Sequence, residues 1–150
     1  MPEAAVASQF QTFAVAPQLL KQGKTSTRLA RTEHINAGVQ VVADGGETNL
    51  HAHPTQDEIW MVLGGEAKFY TTDDELVATL SKYEGILVPH DAPYWFESSS
   101  DENLVIMRFG AAVPGATGGR VDYGERKWAV GGEPGGQKRE NVFADAVFGR

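Results

Sequence analysis

The chain has 150 residues, a formal net charge of −7, 41% hydrophobic and 22% charged residues, and no cysteine. That length suits one domain able to bury roughly two-thirds of its unfolded surface, and the composition is that of an ordinary globule. Acids and bases are interspersed with no basic run, which argues against a nucleic-acid or anionic-membrane surface. Disulfides, thiolate ligands and cysteine nucleophiles are excluded.

The opening stretch MPEAAVASQFQTFAVAPQLLK has no base before Lys21, and Glu3, Gln9 and Gln11 interrupt its apolar residues. It fits neither a signal peptide nor a spanning helix, so a cytoplasmic protein is expected. Residues 1–31 read as an N-terminal arm holding one short strand, anchored by Phe10, Phe13 and Val15. Thr32 to Ala43 reads as a strand pair or one bent strand leading into the turn Asp44-Gly45-Gly46.

Residues 45–65, GGETNLHAHPTQDEIWMVLGG, carry the chemistry. His51 and His53 are two apart, so in an extended chain both imidazoles project to one face. Pro54-Thr55-Gln56-Asp57 turns the chain. On the returning strand Glu58, Trp60 and Val62 share a face, and Ile59, Met61 and Leu63 take the other. If the first set points inward, the Glu58 carboxylate arrives beside the two histidines. Two imidazoles and a carboxylate form the facial set of a non-haem Fe(II) site with open positions, and the set also suits Mn, Zn or Ni. Inward beside Trp60 and Val62, Glu58 would need a cation to stay charged.

Gly64-Gly65 is a two-residue hairpin turn. Glu66–Thr71, Leu76–Leu80, Ile86–Val88, Tyr94–Glu97 and Asn103–Phe109 follow as short strands separated by polar or glycine-containing turns. Short strands at even intervals without a helical period mean an all-β barrel or sandwich. Residues 32–109 are thus the barrel of a single domain, and 110–150 form a glycine-rich C-terminal extension. Within that extension, GGEPGGQKRE is a loop but not a phosphate-binding one, because no lysine directly follows its last glycine. Val142 to Phe148 is a terminal strand or short helix that packs on the barrel or on a partner subunit. No nucleophile elbow, phosphate loop or strand-led dinucleotide fingerprint is present.

The spacing G-x5-H-x-H-x4-E-x6-G, filled here by Gly45, His51, His53, Glu58 and Gly65, resembles the first signature motif of the cupin superfamily. A chance match in a chain this short is on the order of one in ten thousand. The resemblance implies a small, jelly-roll-like antiparallel β-barrel whose mouth holds one divalent metal ion per chain, Fe(II) first. The second cupin motif, G-x5-P-x-G-x2-H-x3-N, matches only at Pro89. Tyr83 and Asp91 stand for its glycines, Tyr94 for its histidine ligand and Ser98 for its asparagine.

Tyr94 is read first as a hydrogen-bond donor to a metal-bound group or substrate, then as barrel filler, and last as a phenolate ligand. His90, four residues earlier and at a turn, is the alternative replacement for the missing histidine. His34 has no motif around it and reads as structural. Trp60, Tyr94 and Phe96 either line an apolar pocket for an aromatic or hydrophobic substrate or belong to the core. Arg108 is a clamp for a substrate carboxylate if it points inward, and a solvated edge charge if outward, the reading preferred here.

The expected function is a metal-dependent enzyme acting on a small organic substrate, foremost a non-haem Fe(II) dioxygenase-type oxidoreductase. An isomerase, cyclase or lyase, or a barrel that binds a small molecule without turning it over, are the alternatives. An exposed sheet edge is best covered, so a homodimer is expected.

Overall fold

The computed structural model describes residues 6–124 and 140–150. Its strands are β1 (Gln18–Gln22), β2 (Lys24–Arg31), β3 (Ile35–Val42), β4 (His51–Ala52), β5 (Gln56–Gly64) and β6 (Ala67–Tyr70), then β7 (Leu76–Leu80), β8 (Gly85–Val88), β9 (Trp95–Ser98), β10 (Leu104–Ala112), β11 (Val121–Asp122) and β12 (Val142–Val147). A five-stranded sheet runs β2-β3-β10-β5-β8, a three-stranded sheet runs β7-β6-β9, and β4-β11 and β1-β12 form separate pairs. This is the all-β architecture that the turn spacing implies.

Alternation along the strands gives the large sheet two apolar faces. Val42, Trp60, Val62, Leu104 and Ile106 turn inward and meet Phe69, Tyr94 and Phe96 of the facing elements in one buried cluster. Val39, Val41, Val105 and Met107 turn outward and pack beneath Leu19, Leu20 and Phe148, which the β1-β12 pair lays over them. Two glycines permit close approach. A side chain at Gly65, held at φ +75°, would strike the Asn103 carbonyl, and one at Gly85 would strike that of Trp60, which β8 crosses in its pairing with β5.

Pairing register fixes which side chains share the interior. One cross-strand row reads Arg28, Gly38, Arg108, Trp60, Ile86 across β2, β3, β10, β5 and β8. Trp60 is 2% exposed and inward, so Arg108 beside it faces inward too, opposite to the solvated edge charge preferred from the sequence.

The main sheet starts earlier than residue 32. Lys24–Arg31 is an eight-residue strand paired with β3 along most of its length. Thr32 to Ile35 makes a turn, in which the Thr32 hydroxyl accepts from the backbone N–H groups of His34 and Ile35, and one strand follows, the single-strand alternative for this stretch. Val142–Val147 is a strand, antiparallel to β1. Of the loop expected at 131–140, residues 131–139 lie outside the described residues. Among the described residues no helix is long and apolar enough to cross a membrane.

Candidate metal and substrate site

The short strand β4 carries His51 inward, 3% exposed, and an antiparallel bridge ties it to Tyr94 through His51 N–H to Tyr94 O at 3.1 Å and Tyr94 N–H to His51 O at 2.8 Å. The imidazoles of His51 and His53 meet edge to face with centroids 5.0 Å apart, as the two-residue spacing requires. Glu58 comes in from β5, 1% exposed, with Oε1 3.5 Å from His53 Nε2. The Tyr94 hydroxyl donates to Glu58 Oε1 at 2.9 Å, and Arg108 Nη1 donates to Oε2 at 3.3 Å. The second guanidinium nitrogen, Nη2, donates to Asn36 Oδ1 at 3.0 Å.

His51 Nδ1 lies 2.7 Å from the Asn49 carbonyl. A carbonyl only accepts, so Nδ1 carries the proton and the Nε2 lone pair is left for the interior. Burial first, and then the Arg120 charge, hold the His51 pKa down to about 3. Burial also lowers that of His53, against the opposing pull of Glu58. Both rings are therefore neutral at pH 7, the form that ligates. Burial, with Glu58 beside it, pushes the Tyr94 phenol well above its usual value, so it is a proton donor and not a phenolate.

Chemically, two neutral imidazoles and a carboxylate suit a divalent ion. The separation of His53 Nε2 and Glu58 Oε1 is near the roughly 3 Å between neighbouring ligand atoms on one ion, given bonds of about 2.0–2.2 Å. The full set is less closed: among the described residues no group of three or more His, Cys, Asp or Glu side chains stands as a metal-holding cluster. What fits is the His53–Glu58 pair with the free Nε2 of His51 beside it.

The remaining expected residues fall in different places. His90 is on the outside, where its backbone N–H and its Nδ1 each bond Asp57 Oδ1 at 2.8 Å. It does not join the histidine pair. His34 is exposed beside Glu33. Trp60 and Phe96 are packed ring to ring at 5.0 Å inside the core cluster, 2% and 1% exposed, which is the core alternative for them. The indole N–H of Trp60 has no hydrogen-bond partner of ordinary geometry.

Three residues were missed by sequence reasoning. The extension after Gly110 returns as β11 beside β4, with Asp122 opposite His51. There Arg120 donates to Asn49 Oδ1, and Asn49 donates from Nδ2 to Asp122 Oδ1 and the Gly124 carbonyl, each at 3.0 Å. This network holds the carbonyl that orients His51. Asn49, two residues before His51, had a periodic signal; Arg120 and Asp122 had none.

Tyr83 and Asp91, which stand for the glycines of the second motif, both adopt left-handed conformations, φ 69° and 66°.

The sequence over residues 38–109 matches the family model described as "Cupin domain". No curated protein matches the chain. Among solved structures, the chain is similar to a protein with a double-stranded β-helix domain from Klebsiella pneumoniae (19% identity, 67% of this chain and 84% of that one, TM-score 0.57). It is also similar to KdgF from Halomonas sp. (22% identity, 59% and 81%, TM-score 0.52) and to the Cnp3 cupin domain of Schizosaccharomyces pombe (18%, 63% and 68%, TM-score 0.56). Residues 38–109 of this chain form a small cupin-superfamily domain. At these identities the solved structures establish the fold alone.

Proposed function

We propose that the protein is a metal-dependent cupin enzyme acting on a small organic substrate, with His51, His53 and Glu58 holding one divalent ion, Fe(II) first and Mn, Zn or Ni as alternatives. The observation that carries this reading is a pair of neutral imidazoles with centroids 5.0 Å apart, one of them 3.5 Å from a carboxylate that is 1% exposed. A bound Fe(II) supplies redox electrons and open positions for substrate and dioxygen, which makes a dioxygenase-type oxidoreductase the first reaction class and isomerase, cyclase or lyase chemistry the next. The Asn49 carbonyl fixes the His51 tautomer, the Tyr94 hydroxyl donates a hydrogen bond to Glu58 Oε1, and Arg108 aligns Oε2. Elemental analysis of untagged protein tests the reading: about one ion per chain in the wild type and none in Glu58→Ala supports it. An empty wild type, or full occupancy in the variant, overturns it.

One observation favours a second reading, a barrel that binds a small molecule without turning it over. Both oxygens of Glu58 already accept hydrogen bonds, from Tyr94 and Arg108, so the buried carboxylate is satisfied without an ion. This reading predicts a melting temperature indifferent to chelator and raised by ligand with no product formed. We also propose a homodimer. Ile59 and Leu87 face each other across β5 and β8 on the outer face, 48% and 61% exposed, beyond the reach of the β1-β12 cover, and light scattering gives the mass that decides it.

A further inference from the structure

The inner face of the large sheet does not end at Glu58. Past Arg108 it opens into a cavity of about 700 Å³ lined by Ser26, Arg28, Asn36, Gly38, Gln40 and Arg108, among others. The wall is polar where a barrel interior is expected to be apolar. It carries Arg28, Arg31 and Arg108 against one acid, Glu33, which is paired with His34 at 3.1 Å, in a chain whose net charge is −7.

The cross-strand row Arg28, Gly38, Arg108 sets two guanidiniums on either side of a residue with no side chain. β2 and β10 flank β3, so the two arginine backbones stand roughly 9.5 Å apart, and the gap over Gly38 is bounded by cations on both sides. Arg108 spends one N–H on Glu58 and one on Asn36, leaving three of its five donors. The Arg28 side chain makes no hydrogen bond or ion pair among the described residues. A carboxylate is the planar acceptor such a pair matches.

One row deeper on β3, two residues or roughly 6.8 Å along the strand, Gln40 also lines the cavity. Its amide oxygen is buried with no partner. An unmet buried amide is costly unless a ligand supplies the bond. A hydroxyl both donates and accepts, so it serves the Gln40 amide in either orientation.

We infer that this cavity binds a small hydroxycarboxylate, its carboxylate over Gly38 between Arg28 and Arg108 and a hydroxyl on the Gln40 amide. The inference rests on the cavity and not on a bound ion. It assigns the polar half of the barrel to ligand recognition and replaces the apolar pocket expected around Trp60 and Phe96.

Isothermal titration of the full chain with excess chelator tests it, using three probes on one carbon skeleton: 4-hydroxybutanoate, butanoate and butane-1,4-diol. The expected order of affinity is the hydroxy acid first, butanoate second and the diol undetectable. Arg28→Gln, at an exposed position of the edge strand, is expected to weaken hydroxy-acid binding at least about tenfold while the melting curve is kept. Gln40→Leu is expected to equalise the hydroxy acid and butanoate. Equal affinity for the diol, no saturable binding by either acid, or an unchanged affinity in Arg28→Gln overturns the site. Because no ion is present in the titration, a protein that proves metal-free still gives a decisive answer here.

Discussion

Tyr94 and Glu58 behave as one unit: the phenol donates to Oε1 at 2.9 Å while both side chains are nearly inaccessible, 4% and 1% exposed. Removing only the hydroxyl takes away the hydrogen bond to a buried carboxylate oxygen, which keeps His53 Nε2 at 3.5 Å. Tyr94→Phe is expected to cost about 1.5–3 kcal/mol, the range for a hydrogen bond to a charged group. Urea unfolding followed by tryptophan fluorescence measures it. A loss below about 0.5 kcal/mol would show that Glu58 does not depend on the phenol.

Arg108 is the counter-charge of Glu58, and Glu58 is far less exposed than its partner, 1% against 28%. Breaking a buried pair from one side costs more than removing both charges. Arg108→Met is therefore expected to destabilise the chelator-treated protein by about 3 kcal/mol, and adding Glu58→Gln to recover a large part of that loss. Additive losses in the double variant would count against the pairing.

Lys24 is half-buried, with Nζ 5.6 Å from the centre of the Phe96 ring. Burial first, then the charges of Arg120 and Arg108, lower its pKa from 10.5 to about 7. Between those values the unfolded chain holds a proton that the folded chain lacks, so stability rises with pH through that window, and the penalty of a buried ammonium is felt in full below it. Lys24→Met is expected to be more stable than wild type at pH 6 and to lose the rise between pH 7 and 10. A pair of thermal denaturation series across pH checks both the sign and the window.

Tyr83 holds φ 69° on an exposed turn, a conformation that costs a residue with a β-carbon roughly 1–2 kcal/mol. Glycine relieves that strain but gives the unfolded chain more freedom. Tyr83→Gly is expected to gain up to about 1 kcal/mol, and a calorimetric melt that falls instead would mean the contact between Lys82 and the Tyr83 ring, 4.9 Å from its centre, outweighs the backbone.

The first motif was legible because it rests on local geometry: two-residue alternation brings His51 beside His53, and the Pro54 turn returns Glu58 to the same face. What depended on distant pairing was not. Arg108 sits on an apolar strand whose inward phase is set by its register with Trp60, fifty residues away from Glu58, its ion-pair partner. Lys24–Arg31 lacks the alternation of a half-buried strand because its inward positions are polar: Ser26 and Arg28 face a polar cavity, and Lys24 lies over the Phe96 ring. An inverted pattern of that kind reads as a loose arm. Arg120 and Asp122 reach the site through a pairing with β4 that no local spacing announces.

The pairing of β1 with β12 joins Gln18 to Val147. On a ribosome, the valines and methionine on the outer face of the sheet are made long before the strand that closes over them, so nascent chains carry a bare apolar patch until β12 has emerged. Premature termination, or a bulky fusion crowding the far end of β12, should therefore show itself as aggregation during expression before any defect in the interior is felt.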